Sequence, residues 1–241
     1  MEKDGKKKKR HVGLLILAAI LLVLLAAAVI IYAMYMRETV YVPDKYEAPP
    51  TPTPEVSGAP EPTPYVKRTP VMMYFTKKKI IFPIETVGII PYTDKEGNVI
   101  KAEDGETVYT MDTADSAKVA AWLEDSASPG EYGNAIFTGH SLFRHVAGVF
   151  SVLPDMRKDE EIVVKYDDGS TMAFIVTSVD IYGIDDMPDT VMTYDTGDSR
   201  MTLITEYGES WNSSLGTRTQ RCVVIAKPRD KSQIIKPPAD K

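Results

Sequence analysis

Few side chains in this sequence can do bond-making chemistry, and they fall in two short segments. The first, PGEYGNAIFTGH from Pro129 to His140, ends in a Thr-Gly-His; the second, RMTLITEYGESWNSSLGTRTQRCVVIAKP from Arg200 to Pro228, holds Glu206, Arg221 and the single cysteine, Cys222. A histidine gives or takes a proton near neutral pH. A carboxylate such as Glu206 acts as a general base toward water. Beside Arg221 it is expected to form a charge-assisted pair, and close to His140 it would hold the imidazole protonated. One cysteine excludes an intramolecular disulfide, so Cys222 is buried, reactive or engaged with another chain. Successive residues on a strand face opposite sides, which puts Arg221, Val223 and Ile225 on one face and Gln220, Cys222 and Val224 on the other. Only one of Arg221 and Cys222 then faces a given groove, and no glycine beside them marks a bulge that would re-aim the thiol.

The remaining candidates are weaker. His145 reads as a surface residue and His11 belongs to a basic tail. Ser210, Ser213 and Ser214 lie in a polar stretch with no base pattern to activate them. No closely spaced ligand set such as His-x-x-x-His accompanies His140 and Glu206, so neither a metal nor a cofactor is expected.

The elements that must position these groups read mostly as strands. Short apolar runs at Lys79 to Ile84 and Thr86 to Ile90 are broken by Pro83 and Pro91, and a turn signal follows at Lys95-Glu96-Gly97-Asn98. Further strands are expected at Asn134 to Thr138, Ile162 to Tyr166, Thr171 to Tyr182, Met201 to Thr205 and Gln220 to Lys227, with a hairpin turn at Asp167-Asp168-Gly169-Ser170. The best helix is Ala114 to Leu123, with Ala117, Ala120, Ala121 and Leu123 as its apolar face, Asp112 or Thr113 as its cap and Trp122 as packing. Leu142 to Leu153 reads as a loop or helix. Many short strands without β-α-β alternation predict a mainly β fold, a closed barrel or sandwich.

Ahead of this domain the composition changes twice. Val12 to Met36 is 25 residues without a charge, enough at about 1.5 Å per residue to cross the roughly 30 Å core of a bilayer. Residues 1–11 carry a formal charge of +4, so the positive-inside bias predicts a cytoplasmic N-terminus, a single-pass anchor over 12–36 and an extracellular remainder. An apolar stretch of this length favours the anchor over a cleaved signal peptide, which Ala26, Ala27 and Ala28 would otherwise permit. Residues 37–70 form a Pro-rich linker, with eight prolines between Pro49 and Pro70; extended polyproline geometry suits a stalk. The domain then spans 71–230, with a tail at 231–241. Subtracting the +4 tail from the total of −6 leaves −10 for residues 12–241. That balance argues against nucleic acid as a partner.

The order of motifs resembles the sortases, the membrane-anchored cysteine transpeptidases of Gram-positive bacteria. The features are a helix with Trp122, then Ser126-x-x-Pro129-Gly130-Glu131-x-Gly133-Asn134-Ala135, then Gly139-His140, Gly148-x-Phe150-Ser151-x-Leu153, Thr202-Leu203-x-Thr205, and Arg221 after a wide insertion holding Gly208 and Trp211 to Gly216. They are similar to the class D, E and F branches. The resemblance implies an eight-stranded β-barrel that accepts the sorting-signal peptide of a surface protein or pilin, with a cell-wall precursor amine as acceptor in an active enzyme. It implies His140 as the acid/base residue, Arg221 as the arginine that steadies oxyanion or substrate, and Glu206 where the nucleophilic cysteine belongs. A carboxylate attacking an amide would have to form a mixed anhydride. The expectation is therefore a transpeptidase-defective member, a pseudoenzyme retaining a peptide groove. Two alternatives stand beside it: an active transpeptidase, using Cys222 or carrying Glu206 as an isolated or engineered change, and a peptide hydrolase with Glu206 as base.

Overall fold

The computed structural model describes Leu25, residues 66–213 and residues 216–236. The expected cytoplasmic tail, nearly all of the anchor and the linker as far as residue 65 lie outside the described residues. The chain divides into two compact units, Met1–Thr39 and Val40–Lys241, and the fold below is that of the second.

Among the described residues twelve strands follow one another: β1 Pro70–Phe75, β2 Ile80–Val87, β3 Ile89–Pro91, β4 Tyr109–Met111, β5 Ala120–Leu123, β6 Gly133–Gly139, β7 Leu142–Phe143, β8 Val146–Ala147, β9 Glu161–Tyr166, β10 Thr171–Gly183, β11 Ser199–Asn212 and β12 Thr217–Pro228. Eight of them close a barrel in the order β1-β2-β5-β6-β11-β12-β10-β9, while β3 pairs with β4 and β7 with β8. The mainly β, closed eight-stranded architecture is the expected one. Short 3-10 segments occupy Val149–Asp155, Asp189–Val191 and Lys231–Gln233.

Alternation along the strands fills the barrel. Met73, Phe75, Phe82, Trp122, Phe137, Val164, Phe174, Leu203 and Val224 all join one interior cluster. Phe150, from the 3-10 segment after β8, plugs it against Phe75 and Phe82 at centroid separations of 6.1 and 5.9 Å. Pro83 does not interrupt β2, because it is the last residue paired to β1 and the ladder to β5 begins at Ile84. A residue without an N–H is tolerated where one partner gives way to the next. Gly169, at φ 83°, supplies the left-handed residue of the β9–β10 turn.

The expected helix at Ala114 to Leu123 is not formed. Residues 115–118 are turn and bend, and Ala120–Leu123 is β5, buried at every position. The reason is burial on both faces. Ala120 and Trp122 point into the barrel, whereas Ala121 and Leu123 join an outer cluster with Met111, Ala114, Ile136, Val191, Ile204 and Val223. A strand covered on both sides reads as a continuous apolar run, and over four residues such a run has no periodicity to separate it from a helix. Leu142 to Leu153, expected as loop or helix, is the β7–β8 hairpin followed by a 3-10 segment.

Candidate active site

Glu206 and Arg221 face each other directly across β11 and β12. Alternation sends Ile204 and Val223 to the outer cluster and Leu203, Cys222 and Val224 to the interior, so Glu206 and Arg221 both project outward. The expected charge-assisted pair is replaced by a mediated one. Thr217 Oγ donates to Glu206 Oε1 at 2.6 Å and accepts from Arg221 Nη2 at 3.0 Å, and the ion pairs of the described residues do not include Glu206 with Arg221. Arg221 Nη1 is turned back to the Arg218 and Gln220 carbonyls at 2.8 and 3.0 Å. Burial lowers the Arg221 pKa from its ordinary value, with the nearby Glu206 carboxylate acting in the opposite sense.

Sequence reasoning missed Thr217. The signal was present, since residues 217, 219 and 221 share a strand face, but only the β11–β12 register shows that the extended arm folds Thr217 back beside Glu206. Gly208, at φ 79°, falls where the register shifts between Tyr207 and Trp211, which brings Asn212 opposite Thr217.

His140 follows β6, which runs parallel to β11 with Thr138 beside Ile204. Thr205 Oγ donates to the Gly139 carbonyl at 2.7 Å and ties the end of β6 to the residue before Glu206. The imidazole is held on two sides. Its Nε2 lies 2.7 Å from the Ala114 carbonyl, which can only accept, so Nε2 carries a proton and Nδ1 is left for other partners. Its ring lies tilted by 38° against Phe143 with centroids 4.5 Å apart, and the Arg144 guanidinium sits 5.1 Å from the Phe143 ring centroid. The main chain is held as well. Phe150 N–H donates to the His140 carbonyl at 3.2 Å, and Gly148 packs so tightly that a Cβ there would lie 1.9 Å from that oxygen.

His140, Glu206, Thr217 and Arg221 line one open cavity of about 600 Å³. One wall comes from β3, β4 and the residues after them, with Ile90, Tyr92, Tyr109 and Ala114; another comes from the β10–β11 connection, with Met187, Met192 and Tyr194. Asn134 fastens that second wall. Its Nδ2 donates to the Val191 and Thr193 carbonyls at 3.0 and 3.1 Å while Thr202 Oγ donates to its Oδ1 at 2.7 Å. A concave, mostly apolar trough with a few convergent polar groups is the form of a ligand site.

Cys222 is elsewhere. It is 0% exposed inside the barrel, opposite Thr205 and Ile181, and burial, followed by Asp180, pushes its thiol up to about 12. A thiol in that state is a packing residue, not a nucleophile. His145 is exposed at the β7–β8 tip, Ser210 and Ser213 are exposed on the β11–β12 arm, and His11 and Ser214 lie outside the described residues. Among the described residues no three His, Cys, Asp or Glu side chains cluster as metal ligands would.

The sortase-domain family model matches residues 89–229. Among solved structures, the chain is similar to a lid mutant of sortase A from Corynebacterium diphtheriae at 20% identity, over 68% of this chain and 73% of that one, with a TM-score of 0.47. It is similar to a lid mutant of Streptococcus agalactiae sortase C1 at 17% identity, over 66% and 69%, with a TM-score of 0.45. Sortase C from Clostridium perfringens SM101 aligns at 14% identity, over 67% and 70%, with a TM-score of 0.42. No curated protein matches.

Proposed function

Because the chain belongs to the sortase family, we propose that it is a membrane-anchored, cell-surface member that binds the sorting-signal peptide of a surface protein or pilin without carrying out thiol-based transpeptidation. The observation that carries this reading is the identity and environment of Glu206. It occupies the position that the family resemblance assigns to the nucleophile, directly after Thr-Leu-Ile-Thr on β11, yet it is a carboxylate hydrogen-bonded by Thr217. A thiolate attacks an amide readily and leaves readily; a carboxylate is a poor nucleophile toward an amide, and its attack would have to form a mixed anhydride. Cys222 does not substitute for it, because it is sealed on the other face of β12.

The rest of the trough supports retained binding. His140 and Arg221 line the trough, its walls are anchored, and the apolar lining suits an extended peptide. The apolar Val12 to Met36 segment and the basic residues ahead of it support a cytoplasmic N-terminus and an extracellular domain. The direct test is fluorescence anisotropy of a labelled Leu-Pro-x-Thr-Gly peptide series with the full chain in detergent. Saturable binding that is lost when Thr138→Trp fills the trough is expected. Absence of saturable binding to every member would overturn the reading. Amine-independent cleavage of the peptide, abolished by Glu206→Gln, would instead assign a hydrolase with Glu206 as base.

A further inference from the structure

We propose that Glu206, Thr217 and Arg221 form a non-covalent clamp for the backbone of one extended ligand residue, in which Glu206 accepts that residue's N–H and Arg221 donates to its C=O. The proposal rests on the peptide-binding reading above and names the chemistry of the contact.

Each hydrogen-bonding position of the three groups can be followed. A guanidinium accepts nothing, so the Thr217 hydroxyl must take the Arg221 Nη2 proton on its lone pair and spend its single hydrogen on Glu206. The chain of bonds therefore has one direction, from Arg221 through Thr217 to Glu206. It holds the two charged groups side by side without letting them collapse onto each other. Thr217 is itself 9% exposed, so its hydroxyl is a fixed spacer. Glu206 Oε1 is occupied by Thr217, and Oε2 has no partner among the described residues. Arg221 commits Nη1 to two main-chain carbonyls and one Nη2 hydrogen to Thr217. Its Nε–H and second Nη2 hydrogen have no partner among the described residues.

An acceptor and a donor thus stand next to each other at the wall of an apolar trough. Charge selects what fits. An anionic group is repelled by Glu206 and a cationic group by Arg221, whereas a neutral group offering one donor and one acceptor on the same side satisfies both. In an extended chain the N–H and C=O of a single residue point to the same side. The pair accordingly presents to a ligand what an antiparallel neighbouring strand would present, with charge-assisted bonds in place of amide ones. A cysteine at 206 would supply neither the strong acceptor nor a partner for Thr217.

Ester-for-amide replacement tests this, since it deletes one ligand N–H and little else. The probes are N-acetylated, C-amidated Leu-Pro-x-Thr-Gly peptides with an ester in turn at the x–Thr and Thr–Gly linkages, titrated into the full chain. One ester should bind about tenfold to a hundredfold more weakly than its amide parent, the loss of one hydrogen bond to a charged group. In Glu206→Ala the amide and that ester should bind equally. Thr217→Val should weaken the amide peptide while Thr217→Ser keeps it. Ester penalties identical in the wild type and Glu206→Ala would overturn the clamp while leaving peptide binding intact, as would a preference for the same peptides bearing a free amine. Absence of binding by every parent peptide would overturn the peptide-binding reading, and the clamp with it.

Discussion

Glu206 and Cys222 stand one register step apart on hydrogen-bonded strands and point to opposite sides of the barrel wall. Thr205 is the residue opposite Cys222, and Glu206 is opposite Arg221. The single cysteine of the sequence is thus within a residue of Glu206 in register and on the opposite face. In solution, Cys222 should resist Ellman's reagent in the native state at pH 8 and react only on unfolding, because burial raises its pKa to about 12. In a Cys222→Ala background, Glu206→Cys should place a new thiol in the open trough that labels without denaturant. Rapid native labelling of wild-type Cys222 would contradict the assignment of faces.

Gly148→Ala should damage the His140 setting by sterics alone. Gly148 has φ −82°, which alanine adopts freely, so the cost comes from a Cβ placed 1.9 Å from the His140 carbonyl oxygen. Overpacking of this kind costs about 1–3 kcal/mol. Denaturant melts should show that loss, and the His140 ring resonances should shift. Unchanged resonances would mean that Gly148 does not position His140.

The β7–β8 turn offers the opposite effect. Arg144 and His145 have φ 48° and 70°, so two side-chain-bearing residues occupy the left-handed positions that Asn-Gly usually fills in a two-residue hairpin. Replacing them by Asn-Gly should stabilise the fold by about 1–2 kcal/mol, read as a higher Tm. The same change removes the Arg144 contact on Phe143. A lower Tm would show that this contact outweighs the backbone strain.

Asp198 links stability to pH. Its pKa is lowered from 3.8 by the Lys227 hydrogen bond first and the Ser199 N–H second. A depressed carboxylate pKa stabilises the folded state above the unfolded value, and the gain is lost as pH falls through the folded value. The pair is substantially solvent-exposed, so its contribution is about 1 kcal/mol or less. Lys227→Met should therefore be slightly less stable than wild type at pH 7 and closer to it in strong acid, once the pH has fallen through the depressed folded-state value of Asp198. An equal difference at both pH values would assign the effect to packing.

The barrel was legible because alternation and turn chemistry mark strands locally. The β9–β10 hairpin shows this, where Asp167-Asp168-Gly169-Ser170 names the turn and the flanking runs alternate. β5 was not legible, since its covering comes from segments 111–114 and 187–192 on the outside and from the barrel core on the inside. That two-sided burial is a tertiary fact absent from Ala-Ala-Trp-Leu itself. At the site, strand parity placed Arg221 and Cys222 on opposite faces. The role of Thr217 depends on the register shift at Gly208, which no local pattern announces, and so does its position between Glu206 and Arg221 in place of a direct pair. The housing of His140 by Ala114 and Phe143 depends on loops that alternation does not describe.

The central claim is that Glu206 alone withholds transpeptidation from an otherwise intact peptide trough. It is tested most directly by mass spectrometry of a Leu-Pro-x-Thr-Gly peptide incubated with an amine acceptor and the full chain, wild type against Glu206→Cys, both carrying Cys222→Ala. The account predicts no acyl-enzyme and no amine-linked product from the Glu206 protein, and measurable formation of both from the Glu206→Cys protein. Transfer by the Glu206 protein at a rate equal to that of Glu206→Cys would contradict it.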